Sequence, residues 1–148
     1  MVESCLDRID ELDGGDYGLG AIIEVNPQLM EIADTRDREL RRGDSRGPLH
    51  GIPIVVKDLY ATGDSMSTTA GSLALLNNPV VRDAFLITQL RGAGAILLGK
   101  TNMTEWSNFK GTVQTSGWSP RGGQTRNPYR LDISPWGSSS GSAVAVAA

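Results

Sequence analysis

Gly51-Ile52-Pro53-Ile54-Val55-Val56-Lys57-Asp58 is an apolar run that ends on a lysine and an acid. Its centre, 52–56, has no polar interruption, which predicts a strand covered on both faces. A second run of this kind is 95–98, Ala-Ile-Leu-Leu. The pattern around these two runs is helical. Residues 1–12 read as the end of an amphipathic helix with Cys5, Leu6, Ile9 and Leu12 on one side, and 21–25 as a short strand. Asn26 is placed to cap a helix that has Pro27 at its first position and Gly43 just past its end. Leu29, Ile32, Ala33 and Leu40 would face inward and the arginines water. Residues 82–91 predict another helix, stopped by Gly92. Strands alternating with helices point to an α/β fold built in layers.

The character changes after Asn108. From there to Ser142 glycine, serine and proline are frequent and no periodicity persists. Trp118, Tyr129, Ile133 and Trp136 predict a folded loop region rather than disorder, because aromatic and large apolar groups seek burial. The length of 148 residues suffices for one domain with a core. A formal charge of -3 with mixed signs points to neither a nucleic-acid nor a membrane partner. Cys5 is the single cysteine, which excludes an intrachain disulfide and a thiolate metal cluster. The first twelve residues are charged and lack the apolar centre of a secretory leader, and no apolar run approaches a membrane span. A cytoplasmic protein is the expectation.

Two segments invite chemistry. Of the three lysines, Lys57, Lys100 and Lys110, Lys57 alone ends a buried-strand pattern. Burial disfavours the ammonium, and a neutral amine acts as a general base. A strand-end lysine that reaches water or pairs with Asp58 fits the same letters. The second segment is Pro135-Trp136-Gly137-Ser138-Ser139-Ser140-Gly141-Ser142, followed by an Ala/Val run. Serine hydroxyls on a glycine-permitted turn suit nucleophile or oxyanion chemistry. A helix N-terminus that binds an anion, an N-cap and a flexible linker remain open for the same letters. The run from Gly94 to Thr101 fits G-x-x-x-x-G-K-[ST], but its Ala-Ile-Leu-Leu centre belongs in a strand rather than a phosphate loop. Asn102-Met103-Thr104 is formally a glycosylation sequon and reads as a polar turn after that strand. His50, the only histidine, reads as a loop or packing residue. Asp58 and Glu105 have no partner at a spacing that argues for a carboxylate pair.

Taken together, several motifs in order resemble the amidase signature family. They are Gly47-Pro48-Leu49-His50-Gly51-Ile52-Pro53 with Val56-Lys57-Asp58, then Thr69-Ala70-Gly71-Ser72 and the segment from Gly99 to Glu105. Gly122-Gly123-Gln124-Thr125-Arg126-Asn127-Pro128-Tyr129 and the serine-rich turn follow. The resemblance implies a layered α/β/α fold with a mixed central sheet, of which 1–148 would be the N-terminal portion of a single domain, incomplete at both ends. It also implies hydrolysis of a carboxamide C–N bond by a Ser-Ser-Lys triad without a metal or other cofactor, acting on a small amide. In that triad Lys57 is the base and Ser138, reached through a cis Gly137–Ser138 bond, is the bridging serine. Ser139 and Gly137 support the site. The nucleophilic serine and its oxyanion amides would come about two dozen residues further on, where this sequence has no counterpart. Trp136 and Ser140 depart from the family's pattern, which has a small residue and a glycine there, and a Cβ resists positive φ. A non-catalytic fragment or pseudoenzyme that survives as a binding module is the alternative.

Overall fold

The computed structural model describes residues 1–109 and 115–148. Three strands form the central sheet: β1 (Ile22–Val25), β2 (Pro53–Lys57) and β3 (Ile96–Thr101), in the order β1-β3-β2. β3 runs antiparallel to β1 and parallel to β2, so the sheet is mixed. All six residues of β3 are buried, as a strand covered on both faces requires.

Alternation along the strands sorts the side chains into two layers. Ile96 and Leu98 pack with Val55 against α1 (Val2–Leu12) and α2 (Leu29–Arg41). Leu97 packs with Ile54 and Val56 on the opposite face, against Ile87 of α3 (Phe85–Gly92) and Met66. The expected layered α/β/α arrangement is therefore present. Asp13, just past α1, accepts from Ala21 N at 2.6 Å and Ile22 N at 2.8 Å, which ties that helix to the start of β1. Gly99 has no Cβ for a packing reason: a Cβ would stand 2.4 Å from Glu24 O on β1. The same region of β3 holds the register shift against β2.

Several local expectations need correction. α2 starts at Leu29 rather than at Pro27, because Asn26 makes a turn of its own, with Oδ1 accepting from Gln28 N at 3.0 Å and Nδ2 donating to Leu97 O at 2.9 Å. Arg36, expected in water, continues the buried stripe of that helix and pairs with Glu39 at 3.1 Å, while Leu40 lies exposed. α3 begins at Phe85, three residues later than expected.

Part of the long loop lies outside the described residues, at 110–114. The remainder holds the two-residue strands β4 (Trp118–Ser119) and β5 (Gly123–Gln124), paired antiparallel, and α4 (Ser140–Ala147). The aromatics that argued for burial are exposed, Tyr129 by 83% and Trp136 by 78%. What orders this region is polar. Buried Asn102 donates to Gly123 O at 3.1 Å and Thr125 Oγ1 at 3.0 Å, and its Oδ1 accepts from Ser119 Oγ at 2.7 Å. Thr125 N meets Gly117 O at 2.8 Å, and Arg126 N meets Leu19 O at 2.8 Å.

Candidate active site

Lys57 is the last residue of β2, and α4 begins just after the serine turn. Three contacts dock that turn onto the end of β3. Thr104 N donates to Ser138 O at 3.1 Å, Gly141 N donates to Asn102 O at 3.1 Å, and the Thr101 and Ser142 hydroxyls stand 2.7 Å apart. Gly141 allows this approach because a Cβ would stand 2.4 Å from Asn102 O and 2.5 Å from Ala21 O. The turn is therefore a docked element, which disposes of the flexible-linker reading.

Within it, Lys57 Nζ lies 2.9 Å from Ser138 Oγ and 3.0 Å from Ser139 Oγ, donating to both. These residues are more than eighty positions apart in sequence. The lysine is buried, with 9% of its surface exposed, while Ser138 is half-buried and Ser139 exposed. Burial pushes the Lys57 amine below the ordinary lysine range. Neither of the alternative fates of a strand-end lysine is realised. Lys57 does not extend into water, and the Asp58 carboxylate is engaged elsewhere. Gly137 enters the turn at φ 69°.

The implied cis Gly137–Ser138 bond is not found: among the described residues no peptide bond is cis. Two consecutive positive φ values, 59° at Trp136 and 69° at Gly137, turn the chain instead. A cis bond before a non-proline residue costs about 3–4 kcal/mol, and here the left-handed pair already delivers the Ser138 hydroxyl to Lys57. Trp136 tolerates its positive φ with its N–H donated to Ser134 Oγ at 3.1 Å. Ser140 needs no such φ because it opens α4, and its buried Oγ has no hydrogen-bond partner among the described residues.

The amidase family profile matches residues 1–148, the whole chain. The chain belongs to the amidase family. It is 50% identical to a putative amidase of Schizosaccharomyces pombe over 129 residues, which are 87% of this chain and 22% of that protein. It is 45% identical to a probable amidase of Arabidopsis thaliana, over 100% of this chain and 29% of that one. The native peptide amidase from Stenotrophomonas maltophilia superposes with a TM-score of 0.95 at 56% identity, covering 99% of this chain and 30% of that one. The chain thus spans less than a third of the length of these family members.

Other expectations resolve beside the site. The phosphate-loop letters are occupied by β3, whose Lys100 is wholly buried and donates to Tyr60 O at 2.7 Å and Thr68 Oγ1 at 2.9 Å. His50 packs in its loop, with Nδ1 accepting from Arg46 N at 3.1 Å and Nε2 2.9 Å from Arg36 O. Asn102 of the sequon is buried. No helix among the described residues is long and apolar enough to cross a membrane.

Sequence reasoning weighed Asp58 only as a possible partner of Lys57 or half of a carboxylate pair, and missed the network that it gathers. Asp58 is wholly buried and accepts from Thr69 N and Gly71 N, each at 3.1 Å, from Thr69 Oγ1, and from Arg121 Nη1 at 2.9 Å. Arg121 reaches on to Glu24. The partners lie 11, 13 and 63 positions away, so no short spacing signals them.

Proposed function

We propose that this chain carries the base and the bridging serine of an amide hydrolase that cleaves a carboxamide C–N bond. The observation that supports this best is the Lys57 Nζ–Ser138 Oγ contact of 2.9 Å at a buried strand end. An ammonium in that place donates to the serine oxygens. Once deprotonated it keeps two N–H groups and gains a lone pair, which takes the Ser138 hydroxyl proton. Ser138 in turn takes the proton of a nucleophilic serine, which attacks the amide carbonyl and forms an acyl-enzyme. The relay run backwards protonates the leaving nitrogen, and water releases the acid. Ser139, also on Nζ, holds the amine in line. The relay needs no cofactor. The substrate class is a small carboxamide or peptide-like amide, and the setting is cytoplasmic.

The nucleophile that the resemblance implies has no counterpart in these 148 residues, so chain 1–148 is expected to show no turnover. The test is a chimera in which 1–148 replaces the matching segment of the Stenotrophomonas maltophilia peptide amidase. It should hydrolyse a peptide amide, and Lys57→Ala or Ser138→Ala should remove that activity. A folded chimera without activity would favour the alternative, a non-catalytic binding segment.

A further inference from the structure

We propose that Asp58 is the positioning residue of the Lys57–Ser138 contact, closing a ring of hydrogen bonds that fixes the two side chains relative to each other. This rests on the relay reading above. Asp58 follows Lys57 directly in the chain. Its carboxylate gathers the segment Thr69–Gly71, and its carbonyl accepts from Ala70 N at 2.8 Å. Ala70 O accepts from Trp106 N at 2.9 Å. Two residues before Trp106, Thr104 N holds Ser138 O at 3.1 Å, and Ser138 Oγ returns to Lys57 Nζ at 2.9 Å. The path from Lys57 to Ser138 thus takes three backbone hydrogen bonds and closes on the side-chain contact, while the Asp58 carboxylate braces the Ala70 corner from Thr69 N and Gly71 N on either side.

Two features say that the ring is held under constraint. Ala70 and Trp106 both stand in the left-handed region, at φ 51° and 52°, where a residue with a Cβ persists only if its surroundings hold it. Both are corners of the ring. Gly71 packs so closely that a Cβ would stand 2.8 Å from Ser119 Cβ and 3.3 Å from Glu105 Cα. The segment thus has little room to shift unless the carboxylate lets go.

The chemistry asks for a carboxylate here. All of its described partners are donors: two amides, a hydroxyl and a guanidinium. An ionised carboxylate only accepts, so it suits them all, whereas an asparagine amide would turn an NH2 group toward at least one donor. The buried charge is met by Arg121, which also bridges to Glu24, and by Lys100, which feels Asp58 from the neighbouring strand. The consequence for Lys57 is positional. With the ring closed Nζ stays in its buried place; with the ring open the side chain can swing to water.

Amine acetylation of the purified chain across the alkaline range tests this. The readout is the pH of half-maximal Lys57 modification, taken from peptide masses and compared with the urea-unfolded chain. Hydrogen exchange of the β3 amides reports whether the fold persists. The wild type should show a lower Lys57 midpoint folded than unfolded. Asp58→Asn should lose that separation while β3 stays protected. A wild type without the separation would overturn the relay reading and this inference with it. A separation that survives Asp58→Asn in a folded chain would overturn the inference alone. Should Asp58→Asn not fold, Thr69→Val decides, since it removes a single donor to the carboxylate together with a long 3.5 Å contact from Arg121: a narrowed separation supports the ring and an unchanged one overturns it.

Discussion

Lys57 and Lys100 are both buried near the C-terminal ends of neighbouring strands, yet their surroundings differ in kind. Lys57 meets two serine hydroxyls on the α4 side. Lys100 reaches the loop after β2, where it meets a backbone carbonyl and a threonine that itself donates to that carbonyl. Burial lowers both amines, Lys100 to about 8 against the pull of Asp58, Asp64 and Glu24, which favour its charged form. A depressed lysine pKa therefore does not by itself mark a base. The company differs: Thr68 gives its hydroxyl proton to Tyr60 O, whereas the proposed role of Lys57 needs the Ser138 hydroxyl proton to be free for transfer.

The sharpest way to break this comparison is to remove each amine from the chimera. Lys57→Met should lower kcat by about 10²–10⁴-fold with little change in thermal midpoint, which is the scale of a lost general base. Lys100→Met should leave kcat per folded molecule in place and lower stability by about 1–3 kcal/mol, through the two lost hydrogen bonds to Tyr60 O and Thr68 Oγ1. Reversed outcomes would exchange the two roles.

The carboxylates around Lys100 supply the next test. Arg121→Met removes the guanidinium that pairs directly with both Asp58 and Glu24 and should cost about 3–5 kcal/mol, read from urea unfolding. A loss below about 1 kcal/mol would mean that the pair is well solvated after all.

The pH dependence follows from the same contrast. Lys100 has a folded pKa of about 8 against an ordinary value of 10.5. Between those values the unfolded chain holds a proton that the folded chain has released, so stability should rise with pH across this window and level off below it. The gain is about 3 kcal/mol at most. Subtracting the stability curve of Lys100→Met from that of the wild type isolates it, and a difference that falls as pH rises would refute the assignment. The smallest effect expected is on the Lys57 side. Ser142→Ala removes the 2.7 Å contact with Thr101 and should cost about 1 kcal/mol in thermal unfolding. A much larger loss would make that hydroxyl, rather than Gly141, the main attachment of α4.

How much of this was legible in the sequence depends on the range over which each feature acts. β2 and β3 show as continuous apolar runs because both faces of the sheet are covered, and that signal is local. Lys57 and Ser138 were legible through the ordered motifs of the family, since nothing near either residue shows that they meet. Asp58 was noticed but given no role of its own, because its donors are scattered along the chain at Thr69, Gly71 and Arg121. Arg36 misleads because an arginine can fill a buried stripe once Glu39 meets its charge. The aromatics of the long loop mislead in the opposite sense. The backbone there is ordered by Asn102 and its polar partners, so order does not require Trp136 or Tyr129 to be buried.

The position of β3 in the middle of the sheet has a consequence for how the chain first folds. Neither β1 nor β2 pairs with the other, and each waits for a partner that begins at Ile96. Emerging from a ribosome at about 5–20 residues per second, the chain spends several seconds with β1 and β2 made and their observed partner β3 still to come. Its helices can flicker into being during that time, but the sheet is assembled only after Thr101 has cleared the exit. Pairings of such long sequence separation are slow to form. The early segments are thus most open to wrong partners before the strand that joins them exists.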